Sequence, residues 1–444
     1  MFRTLTLITA LSLSAAAAPV LTLPRRVPPP RSAPTKSLPL SEVFSRSATT
    51  ANCLGNAFEM PGQAWHTDLT GGGVSLNPAG LDARLPTFEG VYGFSPAKLD
   101  DRAASGEILI VDRFAPAPIQ AMGEREPLLV SHGALVESHL RALLESAGFT
   151  LRRTQPLTYG REGRMLILSR LDLSEVYATK SITAAPLTPS AALARALDDK
   201  LTAESKALRP QDLVLNMSFA MVPCQAMTVY RETRDAWAKA KPPQRYNFST
   251  FLNDVARSSQ LTAGEVEHEL TTVSPAEPLR RVLDNYANEK RSRGASFAAV
   301  ASSGNFGLSY PTAPAAFPAV ISVGLHTWQR QPARDLDGSI WPDAADVNVA
   351  GEWFQLSAEQ LRRYCQQGGS CVTPDLVTRP ESTVALAYRG TSFAAPTLSL
   401  FLALQQGRSN RCFTPSGTGY APIRKSPGLQ KTFDFAAVWA QCEG

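Results

Sequence analysis

Apolar residues in the middle of the chain occur in two patterns, as short unbroken runs and as longer stretches with helical spacing. Four unbroken runs predict buried parallel strands, at residues 107–111, 165–168, 213–215 and 297–301. Three stretches with one apolar helical face predict helices, at about 132–148, 190–208 and 278–293. Strands that alternate with helices predict an α/β fold of three layers, with a mostly parallel twisted sheet and helices on both faces.

Polar residues stand directly after several of the predicted strands. Asp112 ends the first run, Ser218 follows the third and Asn305 follows the fourth. In a parallel sheet the carboxyl ends of the strands gather functional groups at one edge. We therefore expect these three residues at that edge of the sheet.

The first residues have the pattern of an export signal. Arg3 precedes an apolar run that ends in four alanines, which predicts a signal peptide at residues 1–18. The run is thinner than the roughly 20 strongly apolar residues of a membrane-spanning helix, and no later segment is apolar enough. We therefore predict no stable membrane span and a secreted or periplasmic location.

The segments that flank the central pattern have a different composition. Residues 19–50 are rich in proline and predict an extended linker. Residues 51–105 show neither helical nor strand spacing, which predicts a loop-rich segment. The sequence leaves open whether this segment is a pro-region or an N-terminal extension of the working protein. Residues 406–444 predict a C-terminal extension.

Composition and charge narrow the classes of function. Of the 444 residues 44% are hydrophobic, which is typical of a globular protein. The net charge of +5 is small and mixed along the chain, so we predict no binding of nucleic acid. The chain has only 5 histidines, so an imidazole that takes part in catalysis has few candidates.

Six cysteines are scattered widely and form no paired metal-binding spacing. In an exported protein this pattern favours disulfides over a zinc site. Cys365 with Cys371 and Cys412 with Cys442 would each close a local loop, and Cys53 with Cys224 is the remaining pair. Other pairings stay open, as does the alternative that some of the thiols are buried and free.

Ser392 is the candidate nucleophile. It lies in the segment 390–396, Gly-Thr-Ser-Phe-Ala-Ala-Pro, directly before an apolar helix. A serine at this position is ordinarily a helix N-cap. The small residues around it allow another chain to approach closely, and the helix start offers backbone N–H groups to a developing negative charge.

A serine hydroxyl needs a base and the base needs an orienting acid. His132 is the candidate base because it begins a predicted helix after a loop. The other histidines are His66, His139, His268 and His326. His139 lies two turns further along the same helix, and we expect it on a different face. Asp112 is the candidate acid and Asp172 its competitor.

Together these residues resemble the subtilisin-like serine proteases. The segment 390–396 resembles the nucleophile motif of that family, and 303–307, Ser-Gly-Asn-Phe-Gly, resembles its oxyanion loop. Residues 216–218, 310–324 and 346–351 are similar to other segments of the family. The chain order Asp, His, Ser is also that of subtilisin.

The resemblance implies a subtilisin-like peptidase domain at residues 106–405, with an insertion at about 221–275. It implies a catalytic triad of Asp112, His132 and Ser392, an oxyanion donor at Asn305 and a substrate-binding role for Ser218. The chain departs from the family around two of these positions. Arg113 follows Asp112 where the family has Thr, and Ala134 follows the His-Gly pair where the family has Thr.

We therefore predict an exported serine endopeptidase that acts on proteins or peptides through an acyl-enzyme. The altered surroundings of the acid and the base motivate one alternative, a catalytically inactive protease-like binding module. A second alternative is an acid-active peptidase whose base is a carboxylate. We predict no cofactor. The sequence contains no convincing cluster of calcium ligands, so calcium dependence stays open. The oligomeric state stays open as well.

Overall fold

A computed structural model describes most of the central part of the chain. The described residues are 52–54, 73–76, 86–99, 105–114, 117–119, 128–130, 132–178, 189–205, 212–223, 248–292, 296–304, 308–326, 345–350, 354–356, 386–405, 415–416, 419–420 and 433–441, with a few residues between 226 and 239. All of them belong to one compact unit, Leu38–Gly444. The predicted signal peptide and linker, Asn305 and the side chains of all six cysteines lie outside the described residues.

The predicted strands and helices are all present in the predicted order, with further elements between them and at both ends. The strands are β1 (Asn52–Leu54), β2 (Gly73–Leu76), β3 (Ser105–Asp112), β4 (Ala117–Ile119), β5 (Leu128–Val130), β6 (Thr150–Thr154), β7 (Leu157–Arg161), β8 (Arg164–Asp172), β9 (Asp212–Met217), β10 (Met221–Pro223), β11 (Phe297–Ser302), β12 (Val320–His326), β13 (Val347–Ala350), β14 (Phe354–Leu356), β15 (Leu386–Arg389), β16 (Pro415–Ser416) and β17 (Gly419–Tyr420). The helices are α1 (Phe88–Tyr92), α2 (His132–Ser146), α3 (Leu173–Ala178), α4 (Pro189–Ser205), α5 (Phe248–Ser259), α6 (Ala263–Thr271), α7 (Pro278–Ser292), α8 (Thr391–Gln405) and α9 (Phe435–Gln441).

A mixed sheet of 8 strands forms the centre of the molecule. Its order is β13-β12-β11-β9-β3-β8-β7-β6. Neighbouring strands from β13 to β8 are parallel, whereas β7 and β6 are antiparallel to their neighbours. The predicted α/β fold with a mostly parallel sheet is confirmed. The antiparallel edge forms because β6, β7 and β8 are joined by short turns, which leave no room for a crossover helix.

Alternate residues of each strand point to opposite faces of the sheet and enter two separate cores. In β3, Ile108 and Ile110 pack in the core that contains α1, α2, α8 and α9. Leu109 and Val111 pack in the core that contains α4 and α7. Helices therefore cover both faces of the sheet, and the predicted three-layer arrangement is confirmed.

The first of these cores extends past the predicted domain boundaries at residues 106 and 405. Its aromatic cluster draws on residues before β3, on α8 and on α9, with Phe88, Tyr92, Phe94, Phe401, Phe435 and Trp439 in contact. The sequence shows no helical spacing at residues 51–105, because a helix of 5 residues is too short to display a period.

The region of the predicted insertion has a small core of its own. The amphipathic helices α5 and α6 supply most of it, with Phe248, Phe251, Val255, Val266 and Leu270 all buried. Leu308, from the loop after β11, packs in the same cluster. Among the described helices, none is both long and apolar enough to cross a membrane.

Candidate active site

The candidate site lies where the carboxyl ends of the central strands meet. In the sheet, β3 lies between β8 and β9. After β3 the chain forms β6, β7 and β8 on one side of β3 and then crosses to form β9 on the other side, so the strand order reverses at β3. Such a switch point opens a crevice beside the strand ends. Asp112 ends β3, Asp172 ends β8 opposite it, and Met217 ends β9.

Asp112 and His132 are in direct contact at this edge. His132 Nδ1 lies 2.8 Å from Asp112 Oδ1 and 2.9 Å from Oδ2. The side chains are 1% and 2% exposed, so water does not screen the contact. Burial raises the pKa of Asp112 above its usual value, while His132 and the Arg113 backbone N–H oppose that rise. The structure thus brings together the acid and the base that the sequence analysis singled out.

The start of α2 is held against the end of β3 by the backbone. The Gly133 N–H donates to the Arg113 carbonyl over 2.9 Å. A Cβ atom at position 133 would lie 3.0 Å from that oxygen and 3.1 Å from the Phe114 ring. Glycine allows this close approach without displacing either neighbour, and the approach places His132 beside Asp112.

Asp172, the competing candidate acid, bonds backbone N–H groups. Its Oδ1 accepts from the backbone N–H groups of Phe114 at 3.0 Å and Ser174 at 2.8 Å. It therefore holds the turn that follows Asp112 and begins α3. Its charge also contributes to the raised pKa of Asp112.

Ser392 is the second residue of α8, and a turn with unusual backbone geometry places it there. Gly390 has φ 143°, a conformation that favours glycine. The Phe393 N–H donates to the Gly390 carbonyl over 2.9 Å. The Phe393 ring lies 5.4 Å from the His132 ring, measured between centroids. The start of α8 and the imidazole are therefore neighbours, and Ser392 is 5% exposed.

Ser218 is fully buried and bonded within the molecule. Its Oγ accepts from Asn216 Nδ2 over 2.9 Å. Asn216 Oδ1 in turn accepts from Ser399 Oγ over 3.0 Å, which links the end of β9 to α8. The predicted substrate-binding residue thus lies in the interior, with its hydroxyl oxygen accepting from a neighbouring side chain.

Asn305 lies outside the described residues, but both ends of its loop are described. The Ser303 N–H donates to the Val323 carbonyl over 3.0 Å. The Ser303 carbonyl accepts from the backbone N–H of Thr312 at 3.0 Å and from its hydroxyl at 3.2 Å. Ser302 Oγ donates to the Phe219 carbonyl over 3.1 Å, so the loop begins beside the segment that contains Ser218.

The expectation that His139 lies on a different face of α2 from His132 is wrong. An α-helix has about 3.6 residues per turn, so two turns return to nearly the same face. Both imidazoles are buried and both meet α8: His132 lies against Phe393, and His139 Nε2 lies 2.8 Å from Thr397 Oγ1. Of the other histidines, His268 is exposed on α6, and the side chains of His66 and His326 lie outside the described residues.

The sequence analysis missed a charged pair beside the site. Glu137 on α2 is fully buried, and both of its carboxylate oxygens accept from the guanidinium of Arg170 on β8, one of them over 2.8 Å. The guanidinium carbon of Arg170 also lies 4.7 Å from the centroid of the Phe114 ring. The pair ties α2 to the turn after Asp112. The sequence feature that could have indicated this pair is Glu137, a charged residue on the apolar face of a predicted helix.

A metal centre has no support among the residues that the structure describes. They contain no group of three or more His, Cys, Asp or Glu side chains that could hold a metal ion. The chemistry that this arrangement can perform is proton transfer, since a buried imidazole with a carboxylate partner lies beside a helix that begins with a serine.

Comparisons with known proteins give structural similarities only. No protein-family model matches the sequence, and no curated protein matches it. The prenylagaramide maturation protease PagA has 13% sequence identity to the chain and a TM-score of 0.32, with 69% of this chain and 76% of that chain covered. The self-cleaved protease domain of PatA has 14% identity and a TM-score of 0.33, with 76% and 96% covered.

A third similar structure is fervidolysin from Fervidobacterium pennivorans, a keratinolytic enzyme related to subtilisin. It has 14% identity and a TM-score of 0.33, with 70% of this chain and 38% of that chain covered. Identities and TM-scores of this size carry no information on activity. The residues of the chain itself are therefore the basis for its function.

Proposed function

We propose that the chain is a serine endopeptidase that hydrolyses peptide bonds through an acyl-enzyme. The observation that carries the proposal is the buried contact between His132 Nδ1 and Asp112, beside the start of the helix that contains Ser392. A carboxylate on Nδ1 holds the imidazole in the tautomer whose Nε2 can accept a proton. This is the arrangement that activates a serine hydroxyl.

In the proposed reaction Ser392 Oγ attacks the carbonyl carbon of the scissile peptide bond. His132 Nε2 accepts the hydroxyl proton and then gives it to the leaving amine, which departs and leaves an acyl-enzyme. A water molecule, deprotonated by the same imidazole, attacks the acyl carbon, the bond to Ser392 Oγ breaks, and the imidazolium returns the proton to that oxygen. Asp112 stabilises the imidazolium that forms in both steps.

Two further roles belong to the proposal. The side-chain amide of Asn305, with a backbone N–H near Ser392, would bind the oxyanion of the tetrahedral intermediate. The substrate would lie extended beside the end of β9 and pair with the backbone near Ser218. Ser218 is fully buried, so we assign its hydroxyl no direct contact with the substrate.

The test is covalent labelling with a fluorophosphonate probe, which reacts with an activated serine. We expect the wild-type protein to be labelled and Ser392→Ala to remain unlabelled. Hydrolysis of casein or of a peptide library should follow the same pattern. Equal labelling of both proteins would contradict the role of Ser392, and an unlabelled wild type without turnover would favour an inactive binding module.

The pH dependence separates an imidazole base from a carboxylate base. With His132 as the base, hydrolysis should fall in acid because a protonated imidazole cannot accept the proton of Ser392. An acid-active peptidase would instead reach its highest rate there. A profile of kcat/KM between about pH 4 and pH 9 distinguishes the two.

We further propose that the protein is exported to the periplasm or the medium, which the composition of residues 1–18 supports. The N-terminus of the active species, determined by sequencing, tests this. It also decides whether residues 19–105 remain in the working protein. Assays after chelator treatment, with and without added calcium, test the proposal that no cofactor is needed.

A further inference from the structure

Thr397 connects three helices within the core behind the candidate site. It lies on α8, between one and two turns after Ser392, and is fully buried. Its Oγ1 lies 2.8 Å from His139 Nε2 on α2. Its carbonyl accepts from the Tyr92 hydroxyl of α1 over 2.8 Å. A polar contact therefore joins α2, which begins with His132, to α8, which begins with Thr391 and Ser392. Apolar packing joins the same two helices.

The direction of the hydrogen bond follows from the number of protons available. A hydroxyl has one proton, and Thr397 Oγ1 donates it to the Phe393 carbonyl over 3.1 Å. With that proton committed to Phe393, the hydroxyl oxygen accepts from His139, and this assignment places the imidazole proton on Nε2. Burial lowers the pKa of His139 to about 3, so the imidazole is neutral near neutral pH.

The two ends of this connection both lead to the reacting groups. On α8, the Thr397 hydroxyl bonds the carbonyl of Phe393. Phe393 follows Ser392 in the chain, and its ring faces His132. On α2, His139 lies on nearly the same helical face as His132. The contact between His139 and Thr397 therefore closes a ring of interactions that contains the base, the residue beside the nucleophile and the two helices that carry them.

We propose that His139 and Thr397 are positioning residues, which hold α2 against α8 at the separation and rotation that bring His132 to Ser392. The inference rests on the proposed function for its link to catalysis. Neither residue touches the substrate. Apolar packing alone would permit small rotations and shifts of one helix along the other, whereas a hydrogen bond between buried groups fixes both.

Thr271 is a matched control on α6. It is a buried threonine whose hydroxyl also donates to a carbonyl four residues earlier in its own helix, that of Glu267, over 2.8 Å. The hydrogen bonds of its hydroxyl are within α6, which is not one of the helices that His139 and Thr397 connect. Thr271→Val therefore removes a hydroxyl of the same kind without touching the connection between the two helices.

The experiment compares Thr397→Val, Thr397→Ser and Thr271→Val in the full chain, well below the unfolding temperature. We expect Thr397→Val to lower the rate constant for fluorophosphonate labelling of Ser392, and kcat for a peptide, by about 10-fold, since small misplacements of reacting groups are costly. KM should stay within about twofold because the substrate contacts are unchanged. Thr397→Ser, which keeps the hydroxyl, should recover most of the rate, and Thr271→Val should match the wild type.

Labelling of Thr397→Val at the wild-type rate would overturn the proposal, as would an equal loss in Thr271→Val. If Thr397→Val does not fold, His139→Phe takes its place, and we expect a loss of several-fold in the same rate constant. Phenylalanine keeps an aromatic ring but has no hydrogen-bonding group, so a rate equal to the wild type would count against the proposal in the same way.

A second measurement keeps this inference separate from the proposed function. The proton between His132 Nδ1 and Asp112 gives a low-field NMR signal that reports the placement of the imidazole, whether or not the protein is an enzyme. Thr397→Val should shift or broaden this signal and Thr271→Val should not. If the wild type is never labelled, the proposed function fails, and an unchanged signal in Thr397→Val would then reject the positioning role as well.

Discussion

The helices on the two faces of the sheet are built differently. The buried positions in the middle of α4 and α7 are apolar, with Leu193, Leu197, Leu201, Leu279 and Leu283 all in one core. On the other face, α2 and α8 bury polar residues along their length, among them His132, Glu137, His139, Thr397 and Ser399. Each of these five residues makes a hydrogen bond to another element. Thr397 and Ser399 each make a second hydrogen bond, to a carbonyl within α8.

This difference separates stability from positioning. Apolar contacts are strong but have no direction, so they hold a helix against the sheet without fixing its rotation. A buried polar group costs free energy unless it is bonded, and its bond has a required distance and angle. The face with α2 and α8 therefore carries the orientation that the proposed chemistry needs, and the face with α4 and α7 contributes mainly stability.

The largest expected effect belongs to Asp112→Asn on the polar face. Without the carboxylate the His132 imidazole loses the partner that sets its tautomer, and kcat should fall by about 10,000-fold. Peptide hydrolysis by the purified variant measures this. Asp172→Asn is the control, since that carboxylate bonds backbone N–H groups, and it should lose less activity. A larger loss in Asp172→Asn would reverse the assignment of the two acids.

On the apolar face, Leu197→Ala should act on stability alone. Loss of a fully buried leucine side chain costs about 2–5 kcal/mol of unfolding free energy. Denaturant unfolding measures the loss, and labelling of Ser392 in the folded protein should keep its wild-type rate constant. A labelling rate that falls together with stability would show that the two faces are not separable in this way.

Gly133→Ala tests how tightly α2 is held to the end of β3. The added Cβ would lie 3.0 Å from the Arg113 carbonyl and 3.1 Å from the Phe114 ring, so one of the two must shift, at a cost of about 1–3 kcal/mol. Because the shift moves His132, the labelling rate should fall too. Gly264→Ala is the matched control, as it is also the second residue of a helix but has open space around its Cβ. Equal behaviour of the two variants would show that the contact at Gly133 is not tight.

The last expected effect is a dependence of stability on pH that comes from His139. Its pKa is about 3 in the folded protein and near the ordinary value of about 6.5 in the unfolded chain, so the unfolded chain binds an extra proton between these values. This contribution to stability is full above about pH 6.5 and is lost as the pH falls, by up to about 1.4 kcal/mol per pH unit. His139→Gln removes the proton-binding group, so its unfolding free energy should fall less between pH 7 and pH 5 than that of the wild type. Parallel curves would contradict the burial of a neutral imidazole.

Much of the fold could be predicted from local patterns. The runs that became β3, β8, β9 and β11 are apolar because both faces of those strands are covered. The start of α8 could be predicted because Gly390 and the small residues after it occur in one short segment. The helices α1 and α9 could not be predicted, because they are too short to show a period. Their aromatic residues join the core only through contacts with distant elements.

The candidate site divides in the same way. The sequence alone singled out Asp112, His132 and Ser392 as candidates, since each lies at the start or the end of an element whose period is local. The strand pattern alone did not distinguish Asp112 from Asp172, because both end neighbouring strands. The resemblance favoured Asp112, and the close approach of α2 to β3 brings His132 to it. The sequence alone also could not pair His139 with Thr397, which lie far apart along the chain. A period shows which face of an element is buried, whereas the partner on that face depends on how whole elements pack.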